Sequence, residues 1–307
     1  MSATRSAILK NKTMNLIEEL LRVNSCSVVG MEKNTGKTVT LDYLLSNLPT
    51  AHRVAVTSIG LDGERKDQVF GTHKPEIHLH PGQLFATSEK HYRQRHLTAE
   101  LLDVSDAQTA LGRLVTARVL TPGKVLLSGP GSTAVMRQWM DTILPLADLI
   151  LIDGALSRMS LASPTVSESL ILATGAAYSA SMDRLVRDTA FKVACIQLPE
   201  WTKEAATDEL IRIPGALTDA RVEQLLRDKT QAGKAVLIPD FTHIFASEML
   251  WRRFMRVHPI FVEKSSRLIG ITVNPTSPQG IQLDSRVLCE RLTEATGVEA
   301  VDLLHEA

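Results

Sequence analysis

The run Val28-Val29-Gly30-Met31-Glu32-Lys33-Asn34-Thr35-Gly36-Lys37-Thr38 limits what this chain can become more than any other stretch. Residues of strand type, from Ser25 to Val29, end in a glycine, and a polar loop leads to Gly-Lys-Thr. From Lys37 to Leu48 the sequence reads as a helix, with Val39, Leu41, Leu44, Leu45 and Leu48 available for packing. A strand feeding a helix through a glycine-bounded loop turns backbone N–H groups and the positive end of the helix dipole toward one point. That point is a site for an anion. The expected ligand is the polyphosphate of ATP, held by Gly30, Lys33, Asn34, Thr35, Gly36, Lys37, Thr38 and Val39. In that arrangement Gly36 lets the backbone approach without an intervening Cβ. Lys37 neutralises charge between the β- and γ-phosphates, and the Thr38 hydroxyl binds Mg²⁺. Five residues separate Gly30 from Gly36, one more than in the common form of this loop.

Magnesium needs further oxygen ligands, and two strand ends offer carboxylates. Leu149-Ile150-Leu151-Ile152-Asp153 is an apolar strand delivering Asp153 to a Gly-Ala turn, where it is expected to hold Mg²⁺ directly or through its water. Asp62, in Leu61-Asp62-Gly63-Glu64, follows a second strand and is the other expected metal-linked acid, with Glu64 as a weaker candidate for ordering water. Lys37, Asp153 and Asp62 form the expected catalytic set. Both aspartates carry a plainer reading too, since Asp after a strand also serves turns. In Ile271-Thr272-Val273-Asn274-Pro275, Asn274 and Pro275 end a strand where the amide can read a purine, although an Asx turn before proline explains Asn274 equally well. The sequence has no Asn-Lys-x-Asp string, which favours ATP over GTP.

The rest of the chain alternates strand-like and helical runs. Strands are expected at 53–59, 149–153, 170–173, 193–198, 235–238 and 268–273, and helices at 6–23, 180–189, 219–229, 247–256 and 284–296. That rhythm predicts a mostly parallel sheet with helices on both faces, and the phosphate loop at its first strand makes the expected α/β fold that of a P-loop NTPase. The stretch 63–123 breaks the rhythm and reads as an insertion with some β structure of its own and a helix near 107–111. No Pro-, Gly- or Ser-rich linker divides the chain, so residues 1–307 are expected to form one domain carrying that insertion.

Composition removes whole classes. Lys and Arg number 34 against 34 Asp and Glu, so the chain has no net positive field toward nucleic acid, and aromatics at 4% offer little for base stacking. No apolar run approaches the length of a membrane span. Lys10 and Lys12 stand where an export signal would need apolar residues. Cys26, Cys195 and Cys289 are odd in number and far apart, as reduced thiols in a cytoplasmic protein would be. Five histidines, His73, His78, His80, His91 and His96, crowd the insertion. His78 and His80 share a strand face at a spacing that suits metal ligation, against the plainer reading of a polar surface.

The five-residue loop count resembles that of dethiobiotin synthetase and points to the P-loop branch containing that ligase, MinD-type ATPases and metal-insertion GTPases. Lys33 lies four residues before Lys37, whereas the extra lysine of MinD-like loops lies five before. A closer resemblance covers about residues 27 to 285. Gly30 to Leu41, Ser58-Ile59-Gly60-Leu61-Asp62-Gly63-Glu64, and Asp153-Gly154-Ala155-Leu156-Ser157-Arg158-Met159-Ser160-Leu161-Ala162-Ser163-Pro164 resemble the P-loop subunit of the reactivating factor for lysine 5,6-aminomutase and its ornithine counterpart. Thr174-Gly175-Ala176-Ala177, Asn274-Pro275 and Asp284-Ser285 fit the same pattern.

The resemblance implies a two-component factor that uses ATP to release damaged cobalamin from an adenosylcobalamin-dependent aminomutase. The implied partners are that mutase and an ATPase subunit resembling MutS, with a homo-dimer as a further expectation and neither nucleic acid nor membrane among them. Arg158 would contact the γ-phosphate or the partner. The alternatives are a dethiobiotin synthetase-like ligase, a metal-insertion NTPase and a nucleotide-dependent module without turnover. Against the ligase, Thr57-Ser58-Ile59-Gly60 supplies no Lys-Pro after the second strand.

Overall fold

A computed structural model describes residues 15–59, 76–109, 111–155, 163–202 and 210–303, apart from the side chains of residues 107 and 155. After a helical segment α1 (15–20), strand β1 (Ser25–Gly30) leads through the loop into helix α2 (Lys37–Asn47), and β2 (Val54–Ser58) follows. The segment 76–125 supplies β3 (Ile77–Leu79), β4 (Leu84–Ser88), the short helix α3 (Glu89–Arg93), β5 (His96–Thr109) and β6 (Gly112–Val125). Helix α4 (Thr133–Ile143), β7 (Leu149–Ala155), β8 (Ser169–Gly175) and α5 (Met182–Ile196) come next. Strands β9 (Leu210–Arg212), β10 (Ala235–Ile238) and β11 (Ile260–Val262) alternate with α6 (Asp219–Arg227) and α7 (Glu248–Met255). The described chain closes with β12 (Arg267–Asn274), α8 (Ser285–Thr296) and β13 (Ala300–Val301).

The main sheet runs β13-β12-β8-β1-β7-β2-β4-β6-β3, with β5 on the other edge of β6. From β13 to β4 every pairing is parallel. Such strands are buried on both faces, and the sequence meets that demand with unbroken apolar runs whose alternate residues go to opposite cores. Cys26, Val28, Leu149, Leu151 and Ile171 pack with Leu41, Leu44 and Leu45 of α2. On the other face, Val29, Leu170 and Leu172 meet α5 and α8, while Ile150 and Ile152 meet Met136, Trp139 and Ile143 of α4. Each fully buried Leu or Ile contributes about 1.5–3 kcal/mol. The expected α/β architecture, with helices on both faces of a mostly parallel sheet, is therefore the one observed.

All four strands of the described part of 63–123 join the main sheet. β4 pairs in parallel with β2, and β6 continues antiparallel beside β4. Lys124 of β6 faces His78 on one side and His96 on the other, so β3 and β5 lie on opposite edges of the same strand. The helix expected near 107–111 is replaced by the end of β5 and the hairpin tip, where Thr109 pairs with Gly112 and Gly112 has φ of 100°. A left-handed glycine at the start of β6, directly across from Thr109 at the end of β5, suits paired strands and not a helix. The strand expected at 193–198 is instead largely the end of α5. Leu185, Val186, Thr189, Val193 and Ile196 are buried along one helical face, and a short apolar run cannot by itself distinguish these two states. β10 occupies the expected strand 235–238, in a small parallel sheet β11-β10-β9, whereas α4, β9 and β11 are not among the expected elements. Part of the helix expected at 6–23 lies outside the described residues.

Candidate nucleotide site

The carboxyl ends of the parallel strands assemble the site. In register, Gly30 sits beside Ala155 and Ala173, Ser58 beside Asp153, and Asn274 beside Gly175. Loop 31–36 therefore opens at the edge of the sheet where α/β folds place ligands.

Two glycines shape the loop. A Cβ on Gly30 would stand 2.6 Å from Thr35 Oγ1 and 2.9 Å from two Lys37 side-chain carbons, so the loop folds directly over the strand end. Gly36 has φ of 98° and is the N-cap of α2; the preceding turn places Asn34 at φ of 62°, also left-handed. Thr35 Oγ1 donates to the Glu32 carbonyl at 2.9 Å and closes the loop on itself. At the helix start, Gly36 supplies no side-chain acceptor. Helices α4, α5, α6 and α8 are capped by the side chains of Ser132, Ser181, Thr218 and Asp284. The first-turn N–H groups of α2 have no acceptor within the helix and no cap, which suits a bound anion.

Lys37 and Thr38 occupy the first turn of α2 and are half-buried. Burial lowers the Lys37 pKa from its ordinary value, while the charges of Asp153 and Glu32 pull it back up and Lys33 lowers it further. Lys37 Nζ lies 3.5 Å from the Glu32 carbonyl. Asp153 lies on β7, the strand between β1 and β2, opposite Val28 and Ser58. Its carboxylate is 3.4 Å from Ser58 Oγ, and its carbonyl accepts from Ile59 N at 3.0 Å. The strand continues beyond Asp153 to Ala155 instead of turning at once.

Asn274 reaches the loop from β12. A Cβ on Gly36 would lie 3.1 Å from Asn274 Cβ, and a Cβ on Gly175 would lie 1.9 Å from the Asn274 carbonyl. Thr174-Gly175-Ala176 is thus a tight passage between adjacent backbones. Asn274 Oδ1 accepts from Thr276 N at 3.1 Å, which is the Asx turn, while Pro275 is buried beside it. Thr40 and Thr272 share a hydroxyl contact of 2.8 Å that fixes α2 to β12. Gly30, Lys33, Asn34, Thr35, Gly36, Lys37, Thr38, Val39, Asp153, Asn274 and Pro275 therefore lie in or beside one loop. Asp62, Glu64, Arg158 and His73 lie outside the described residues.

Of the remaining insertion histidines, His78 and His80 lie side by side with ring centroids 5.0 Å apart, while His91 and His96 make contacts of their own. His78 is exposed, His80 Nε2 is 3.2 Å from Ser46 Oγ, and buried His91 places Nδ1 2.8 Å from Ser128 Oγ. His96 Nε2 lies 3.8 Å from Glu76. Among the described residues no group of three His, Cys, Asp or Glu side chains could hold a metal ion.

Sequence reasoning missed a second carboxylate arrangement. Asp240, buried just after β10, accepts from Ser163 Oγ at 2.6 Å, from Thr242 N at 2.8 Å and from the Thr242 hydroxyl. His243 Nδ1 is 3.2 Å from the same carboxylate. The available signal was Ala235-Val236-Leu237-Ile238-Pro239-Asp240, an apolar strand leading to an aspartate much as the run before Asp153 does.

The site residues fit a phosphate-bearing ligand. Two positions admit no Cβ without conflict, a helix start lacks a side-chain cap, and the charge of Asp153 acts on the lysine of the loop. No family model matches the sequence, and a search of curated proteins gives no match. Among solved structures the chain is similar to that of pNOB8 ParA bound to nonspecific DNA, at 11% identity and a TM-score of 0.30, over 79% of this chain and 86% of that one. A likeness at that score carries no weight for chemistry or partners. Among the described residues no helix is long and apolar enough to cross a membrane.

Proposed function

We propose that this chain binds ATP with Mg²⁺ and hydrolyses it in the service of another protein. The observation that carries the reading is the α2 start, opened by Gly36 and placed so that Lys37 feels the charge of Asp153. Backbone N–H groups of the loop and the Lys37 ammonium would hold the phosphates. Thr38 and Asp153, with Asp62, would supply oxygens to Mg²⁺, which when bound offsets negative charge on the phosphates. Asn274 would stand where a base meets the loop.

The service we propose is ATP-driven release of damaged cobalamin from an adenosylcobalamin-dependent aminomutase, alongside a MutS-like ATPase subunit. What supports it is the set of sequence blocks around Gly30, Ser58, Asp153 and Asn274. No specific observation favours the metal-insertion or ligase alternatives.

Calorimetry with ATP and Mg²⁺ tests the site: Lys37→Ala is expected to abolish measurable binding, and equal affinity in both proteins overturns the nucleotide reading. Mixing the chain with the ATPase subunit and a cobalamin-inactivated aminomutase tests the service. Recovery of mutase activity on adding ATP is expected, and no recovery with no complex overturns it.

A further inference from the structure

The outer face of α7 is an exposed patch that neither the phosphate loop nor the core accounts for. Inward, α7 buries Trp251 and Phe254, and His258 just beyond it is buried as well. Outward, Met249, Arg252, Arg253 and Arg256 follow at i, i+3, i+4 and i+7, all exposed. Phe245, in the turn before the helix, adds an aromatic ring. Phe245 and Met249 are 56% and 78% exposed.

The frame that presents them is fixed. Phe245 N donates to the Leu217 carbonyl at 3.0 Å, and Ser247 N donates to Asp219 Oδ1 at 2.6 Å. Arg252 is paired with Glu248 at 2.7 Å, and Glu248 also lies 3.6 Å from Arg187. The Arg253 and Arg256 side chains have no hydrogen-bond or ion-pair partner among the described residues. The patch thus combines exposed apolar side chains with two guanidiniums unpaired among the described residues, in a chain whose net charge is zero. Phe, Met and Arg are the residue types enriched at protein interfaces.

We propose that this face is a docking surface for an acidic amphipathic helix of a partner protein. The stripe is two turns long, the length over which a partner helix lies alongside, with apolar residues toward Met249 and acidic ones toward the arginines. Carboxylates flanking the partner's apolar stripe would meet Arg253 and Arg256. A second copy docked antiparallel about the middle of the same stripe would bring Arg252 and Arg253 of the two copies together, which like charge penalises. Duplex DNA demands more unpaired cations than the patch holds, because its affinity accrues per phosphate neutralised. A bilayer demands a larger apolar face than one Phe and one Met.

The test uses the full chain without nucleotide, so its failure leaves the nucleotide reading untouched. The probe is a fluorescein-labelled helical peptide with leucines at i, i+3, i+4 and i+7 and glutamates on both flanks. Anisotropy is expected to show saturable binding, weakened about tenfold or more by Arg253→Glu with Arg256→Glu and separately by Met249→Ser. A peptide with lysines replacing the glutamates is expected to bind the double variant better than the wild type. All three positions are exposed, and unchanged circular-dichroism melting confirms that the variants fold. No saturable binding, or binding indifferent to these changes, overturns the proposal. So does tighter, α7-dependent binding of a DNA duplex or of phosphatidylglycerol vesicles.

Discussion

Ser163 donates its hydroxyl to Asp240 across 2.6 Å, joining the chain that leaves segment 156–162 to the buried aspartate after β10. Asp153 lies at the other end of that segment. Where the described chain resumes at Ser163, it is therefore hydrogen-bonded to the residue that follows Pro239 after β10. Ser163→Ala removes a donor from a buried carboxylate, at an expected cost of about 1–3 kcal/mol. Urea unfolding measures it, and an unchanged midpoint refutes the assignment of the bond as stabilising.

Gly30→Ala places a methyl group 2.6 Å from Thr35 Oγ1 and 2.9 Å from Lys37. Thr35 is already tied to the Glu32 carbonyl, so the loop cannot yield without losing that bond. The expected result is ATP affinity lowered about tenfold or more, with a stability loss of about 1–3 kcal/mol. Calorimetry and thermal melting read the two effects, and wild-type affinity in the variant contradicts the close packing of the loop.

Asp148 accepts from the Arg53 backbone N–H and from its guanidinium at 2.6 to 3.2 Å. The side-chain bond from Arg53 is the largest influence on its carboxyl, which lies at about 2 against an ordinary 3.8. A lowered pKa means stabilisation that is present above the ordinary value and lost as pH falls from about 4 through about 2. Asp148→Asn is therefore expected to flatten the decline of the melting temperature across that interval. Parallel acid profiles for both proteins indicate no such linkage.

Cys26 and Cys195 are buried, and burial pushes both thiols up to about 12. At pH 8 the thiolate fraction at each is about one in ten thousand. Iodoacetamide should label the half-buried Cys289 first in the native protein and all three cysteines in denaturant. Mass spectrometry reads the sites, and early labelling of Cys26 contradicts its burial.

The loop and the parallel sheet were legible in the sequence because both depend on local signals. Gly30, Gly36 and Lys37 announce their geometry within one turn of chain, and runs such as Leu149–Ile152 can be satisfied only between two covered faces. The hairpin β5–β6 was hidden because polar and charged residues at Glu100, Asp103 and Asp106 blur the alternation of an edge strand. The end of α5 was hidden because Val193 to Ile196 are apolar in any conformation. The Ser163–Asp240 bond joins residues 77 positions apart, and no local pattern reports such a distance.

The missing cap on α2 has a thermodynamic consequence. A phosphate seated at Gly36 would act as the capping residue that the polypeptide does not contain, so part of the helix's structure is supplied from solution. Because Leu41 and Leu44 anchor that helix in the core beneath β1 and β7, the gain spreads beyond the loop. A ligand at one hundred times its dissociation constant raises stability by about 2.7 kcal/mol. With the proposed nucleotide as that ligand, the fold would be complete only in its company, and ligand supply would become one of the determinants of how long the folded chain survives.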